Sequence, residues 1–218
     1  MLRYSGLAAK VAALAFVLSR GVRLSWVFGP RIGGGSELAR ATLGSSFIAS
    51  ALYVLVGLSR VEEIGVAGSP SMVEQIVAFG LAVTLTPILE ELIFRGVFLR
   101  CLLDKIPTIL AVGLSALVFG AFHASIVRAS AAFALGLVLG VLMVRTKSLA
   151  VCIVAHSAWN LTVRGVDLSQ TAQSAIVALR TADLDGAFAA TAIAVGILLL
   201  VLRISNSDRS ADERPRNP

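Results

Sequence analysis

Along this chain, apolar runs alternate with short polar breaks, and the runs are too long and continuous for a fold solvated only by water. Residues 41–58, 106–125, 130–144, 148–163 and 187–202 each read as an apolar helix. A bilayer crossing takes about 20 mostly apolar residues, so each is a candidate span. Residues 7–28 are apolar but carry Lys10, Arg20 and Arg23, which predicts a weak or tilted span, or an amphipathic helix in the interface. Pro30 and Gly33-Gly34-Gly35 then predict a loop, and a polar turn runs from Arg60 to Pro70. The longest run, 74–103, would make a helix of about 45 Å if unbroken. Pro87 predicts a kink there or the start of a second half, because proline removes a backbone donor and crowds the preceding turn. Ser169 to Arg180 is mildly amphipathic and expected at the interface, and Ser205 to Pro218 is polar, charged and expected to be disordered.

The pattern predicts an all-α, polytopic transmembrane helix bundle of about six to eight spans. Four regions follow from it: N-terminal membrane helices and loops (1–73), a core (74–163), an interfacial segment with a last transmembrane helix (164–204), and a polar tail (205–218). Composition agrees: the chain is 57% hydrophobic and 15% charged, with a mean hydropathy of +0.88. Soluble domains are less apolar and more charged. The net charge of +6 would suit nucleic acid, but the basic residues are scattered between apolar runs as positive-inside loops are, so no nucleic-acid partner is expected. Loops 19–40, 95–105, 145–147 and the tail hold thirteen Lys and Arg, against six on the opposite side: Arg3, Lys10, Arg60, Arg128, Arg164 and Arg180. The richer side, and with it the C-terminus, is expected to be cytoplasmic, in the cell membrane if the protein is bacterial. No small-residue cleavage site follows the first apolar stretch, which is expected to be retained. Cys101 and Cys152 lie in apolar runs without metal-like spacing and read as small buried hydrophobes.

Against this background the sequence Pro87-Ile88-Leu89-Glu90-Glu91-Leu92-Ile93-Phe94-Arg95 stands out. A charged side chain at a bilayer centre costs about 2.5–3.5 kcal/mol on the insertion scale, and such groups are kept when they pair, line a polar cavity or do chemistry. Glu91 and Arg95 are one turn apart and can pair; Glu90 points about 100° away and is expected to be left without that partner, free to act. The chain's two histidines also fall in predicted spans: His123 ends Phe119-Gly120-Ala121-Phe122-His123, and His156 begins His156-Ser157-Ala158-Trp159-Asn160. His156 and Asn160 share a helix face, and Phe119, one turn before His123, can shield its imidazole or simply pack in the core. Three helices thus present short polar faces that can converge in a bundle core.

Hydrolysis assigns these groups roles. A carboxylate and a histidine can hold and deprotonate a water. A histidine and an amide can donate to the oxyanion of a tetrahedral intermediate. The same His and Glu side chains could instead ligate a metal, with Glu90, His123 and His156 as the set. The His-Glu-x-x-His signature is absent, as are Gly-x-Ser-x-Gly, a Walker loop and a dinucleotide fingerprint.

Glu90-Glu91-x-x-x-Arg95, Phe119-x-x-x-His123 and His156-x-x-x-Asn160, intact and in this order, resemble the three motifs of the CPBP family. These are the CAAX-protease and bacteriocin-processing intramembrane proteases, also called the ABI family, relatives of the type II CAAX prenyl endopeptidase. The resemblance covers roughly residues 74–163 and implies an intramembrane endopeptidase acting on membrane-associated or lipid-modified proteins or peptides. It implies Glu90 and His123 as the water-activating pair and His156 and Asn160 as oxyanion donors. Glu91, Arg95 and Phe119 are supporting residues in this reading. Family members carry both metalloprotease and metal-free, glutamate-dependent descriptions; the metal-free mechanism is favoured here, with zinc or another divalent metal the alternative cofactor. Expected partners are membrane lipid and a peptide or protein substrate. The chain's last residues, Arg-Pro-Arg-Asn-Pro, form no CAAX box, so the chain is not expected to be such a substrate itself.

Two rival readings stay beside this one: a membrane scaffold or chaperone that has lost catalysis, and a proton-coupled transporter built on the same ionisable groups. An inverted repeat would favour the transporter, and none is seen. One geometric difficulty goes with the protease reading. In simple antiparallel spans Glu90 and His123 would differ in depth by about 9 Å, a gap that a kink, a tilt or an offset helix must close.

Overall fold

The computed structural model describes residues 10–12, 15, 19, 34–56, 71–123, 125–168 and 170–201. The turn from Arg60 to Pro70 and the tail from Ser205 lie outside them, as does most of 7–28. Among the described residues the elements are all helical, joined by short turns: α1 (Gly35–Val56), α2 (Met72–Val83), α3 (Leu85–Glu91), a π-helical segment (Leu92–Phe98), α4 (Leu99–Leu103), α5 (Thr108–Ala121), α6 (Ile126–Thr146), α7 (Leu149–Leu168), α8 (Gln170–Thr181) and α9 (Asp185–Val201). Four helical stretches are long and apolar enough to cross a membrane: Gly35–Leu55, Met72–Leu103, Ile126–Thr146 and Leu149–Val166. Thr108–Ala121 and Phe188–Leu200 are shorter apolar helices. Each apolar run expected between residues 41 and 202 falls on one of these, so the all-α membrane bundle stands.

Helix boundaries differ from expectation where capping intervenes. α1 begins at Gly35 rather than near residue 41, because Glu37 turns its carboxylate back to the Gly34 N–H at 3.0 Å and satisfies an end donor. α2 opens on a capping box in which Ser71 and Glu74 exchange hydrogen bonds. α6 stops at Lys147, whose left-handed φ of 54° ends the helix.

The long run 72–103 is not one straight helix. α2 ends at Val83, the chain turns at Thr84, and α3 starts with Pro87 in its first turn, where a missing N–H is tolerated. The second-half expectation is therefore met. The π-helical segment was not expected. The Leu99 N–H reaches the Phe94 carbonyl, a step of five residues, and such segments are rare and concentrated at functional sites.

α1 packs against both α7 and α9, and α5 packs along α6. The α1–α9 crossing is close: a Cβ on Gly44 would lie 2.9 Å from the Gly196 carbonyl oxygen, and one on Gly196 would lie 2.8 Å from that of Gly44. Such small-residue contacts let membrane helices approach when no water-driven force brings them together. The largest core cluster joins Phe94, Phe119, Leu135, Leu139 and Trp159 from the middle helices. Met72, Val73, Ile109, Leu117 and Ile126 are exposed, as lipid-facing residues are. Cys101 is exposed as well, which corrects the expectation that both cysteines are buried; Cys152 is buried as expected, and both thiols are free.

Candidate active site

Glu90 and Glu91 end α3, and the wider turn that follows carries Arg95. The Arg95 Nη1 donates to Glu91 Oε1 at 2.8 Å, and both side chains are fully buried, at 0% exposure. Its Nη2 donates to the Gly136 carbonyl of α6 at 3.2 Å. That approach is set by packing: a Cβ on Gly136 would come within 2.9 Å of Ala116 Cα, so only glycine lets α5 and α6 meet there. The guanidinium also lies 4.7 Å from the centroid of the Phe119 ring, a cation–π contact. Arg95 thus ties three helical elements to one carboxylate. It was assigned to a basic loop by sequence; burial and pairing remove it from that tally.

His156 lies between the two glutamates. Its Nδ1 is 2.8 Å from Glu91 Oε1, and its Nε2 is 3.6 Å from Glu90 Oε2. An ionised carboxylate only accepts, so Nδ1 carries the proton and Nε2 faces Glu90. Glu90 remains 7% exposed where Glu91 has no exposure, so of the two carboxylates Glu90 is the one that borders accessible space. Glu90 is not free, however. Lys10 reaches its Oε1 from the N-terminal segment and forms an ion pair with it. This corrects both the unpartnered Glu90 and the placement of Lys10 among loop charges. Since Arg95 and Lys10 each leave one side of the positive-inside comparison, the sense of that bias is unchanged.

His123 lies just past the end of α5. Its Nδ1 is 3.1 Å from the Phe119 carbonyl and must donate to it, which leaves the Nε2 lone pair as the basic site of the neutral ring. Phe119 links the two histidines: its ring meets His123 edge-on at 5.4 Å and His156 at 5.8 Å. Among the described residues His123 makes no hydrogen bond to Glu90, so it is His156 that faces that carboxylate directly. Phe94 meets Phe119 at 5.0 Å and Phe122 at 5.8 Å between ring centroids, which brings the end of α5 beside the π-helical segment.

Asn160, one turn beyond His156, donates from Nδ2 to the Ala82 carbonyl at 2.8 Å. Ala82 lies in the last turn of α2, where carbonyls lack helical partners, so the amide caps the break before Thr84. An amide nitrogen has two hydrogens, and the second stays available.

The donor set does not fit a divalent cation. An ammonium already meets Glu90, a guanidinium meets Glu91, and among the described residues no three His, Cys, Asp or Glu side chains converge as ligands. Glu90, His123 and His156 are thus not gathered as a metal-binding set.

Carboxylates, imidazoles and an amide held on separate helices inside an apolar bundle make this an integral membrane protein with a polar centre. Residues 72–162 match the family described as Type II CAAX prenyl endopeptidase Rce1-like. Over this core the chain is similar to the CAAX proteases, and the match leaves the residues before 72 and after 162 outside it. No curated protein and no solved structure matches the chain.

Proposed function

We propose that the protein is an intramembrane endopeptidase that hydrolyses membrane-associated or lipid-modified peptides through a Glu90-activated water. The observation that carries this reading is the division of His156 between the two glutamates, inside the segment that matches the protease family. Glu91 and Arg95 hold the imidazole in one orientation, and Glu90, at the more accessible edge, takes the proton of the attacking water. His123 Nε2 offers a second basic site beside Phe119. As the carbonyl carbon becomes tetrahedral, the second Asn160 hydrogen and a His156 that is imidazolium from the start and keeps both protons are the donors for its oxyanion. Glu90 then returns its proton to the leaving amine. No step requires a metal. The excess of basic residues in the loops supports a cytoplasmic C-terminus.

The test compares wild type with Glu90→Gln at matched membrane levels, listing new peptide termini by mass spectrometry. A quenched fluorescent peptide ending in a farnesylated CAAX box serves as the defined probe. Termini and fluorescence that depend on Glu90 are expected; identical results from both proteins would remove hydrolysis in favour of a scaffold.

A further inference from the structure

Lys10 is a charged group at the site with no role in the proposed mechanism. It stands 80 positions from Glu90 in sequence, yet its ammonium meets Oε1 of that carboxylate. Its side chain is 31% exposed, against 9% for that of Glu90, so the lysine is the more accessible partner of the contact. The other oxygen, Oε2, faces His156 Nε2 at 3.6 Å. The two oxygens of Glu90 are therefore divided between a cation and an imidazole. The terminal torsion of a glutamate is broad and weakly restrained on its own, so an external contact must choose its orientation. Charge gives a second reason. Two neighbouring carboxylates share this apolar core, and Arg95 is committed to Glu91 and the Gly136 carbonyl. Without Lys10, Glu90 would have no cation of its own among the described residues, and an uncompensated buried charge is strongly unfavourable.

We propose that Lys10 is a positioning residue: by holding Oε1 it keeps Oε2 of Glu90 turned toward His156 and the reacting water. The assignment rests on Glu90 being the base in the proposed function. It also makes Lys10 part of the working site, although the family match begins only at residue 72. The opposite role for the same contact is a plug, in which the lysine caps Glu90 until substrate displaces it. The two roles differ in sign, because a plug loses its brake when the lysine is removed.

The experiment uses the full chain in detergent and the farnesylated CAAX peptide as probe. Lys10→Ala is expected to lower kcat by up to about 100-fold with KM little changed, the scale of loss when a reacting group is misplaced by about 1 Å. Lys10→Arg should recover most of the rate. Lys10→Cys in a Cys101→Ser background, alkylated after folding with 2-bromoethylamine, should regain activity as the ammonium is rebuilt. That rescue acts on protein already folded, so a folding defect cannot imitate it. An unchanged kcat in Lys10→Ala, a raised one, or a loss that neither Arg nor alkylation restores would each overturn the positioning role. A wild type with no Glu90-dependent cleavage of the peptide or of membrane proteins would instead take down the protease reading, and the inference with it.

Discussion

Arg95 and Glu91 meet at 2.8 Å with neither side chain exposed, and the same Glu91 oxygen receives the His156 Nδ1 proton. A buried pair of this kind is costly to halve. Arg95→Met should destabilise the protein by about 3–5 kcal/mol, since it strands the Glu91 charge. Adding Glu91→Leu should restore much of the folded yield by removing that charge. Cleavage should be lost in both variants, because His156 Nδ1 no longer has an anchored carboxylate to orient it. Thermal unfolding in detergent, read beside activity, separates the two effects.

Asn160 has one hydrogen committed to Ala82 and one to spare. Asn160→Ala and Asn160→Asp both remove the donor, and each should lower kcat by about 100- to 1000-fold, the usual loss for one oxyanion donor. KM for the CAAX peptide should move little. A fall in KM-dependent binding alone would instead mark the amide as a cap on α2.

Gly136 and Gly113 offer a packing contrast between the helices that carry the site. Gly136→Leu drives a side chain into Ala116 and should cost about 1–3 kcal/mol, lowering the unfolding temperature and withdrawing the carbonyl that holds Arg95. A Cβ on Gly113 meets nothing within 4 Å, and Gly113→Ala should be neutral or slightly stabilising.

Metal removal tests the donor set. With Lys10 and Arg95 already on the carboxylates, 1,10-phenanthroline is expected to leave Glu90-dependent cleavage unchanged. Loss of activity that returns with added zinc would contradict this and reassign Glu90 as a ligand.

The helices were legible in the sequence because hydrophobic runs of membrane length leave few alternatives, and Pro87 marked the division of the longest one. The Glu91–Arg95 pair was legible too, since its spacing is local. What stayed hidden depends on contacts between distant segments or on backbone geometry that side-chain pattern does not encode. Nothing in the spacing links Lys10 to Glu90, although an ionisable residue in an apolar run signals that some opposite charge must meet it. His156 and Asn160 were placed on one face correctly, yet their division between Glu90, Glu91 and Ala82 required the packed helices. Cys101 looked like its buried counterpart because an apolar run on a membrane helix faces lipid as readily as core.

The π-helical turn makes the chain locally one residue longer than an α-helical path would need. Deleting Val97 would let residues 92–98 relax into ordinary α-helical hydrogen bonding, a gain for that stretch of backbone. Residues after Phe98 would stay close to their present phase, because the wide turn already absorbs the extra residue. The change would fall inside the segment, on the turns that carry Phe94 and Arg95 beside the two carboxylates. One surplus residue therefore shapes the site locally and leaves the helix beyond it in register.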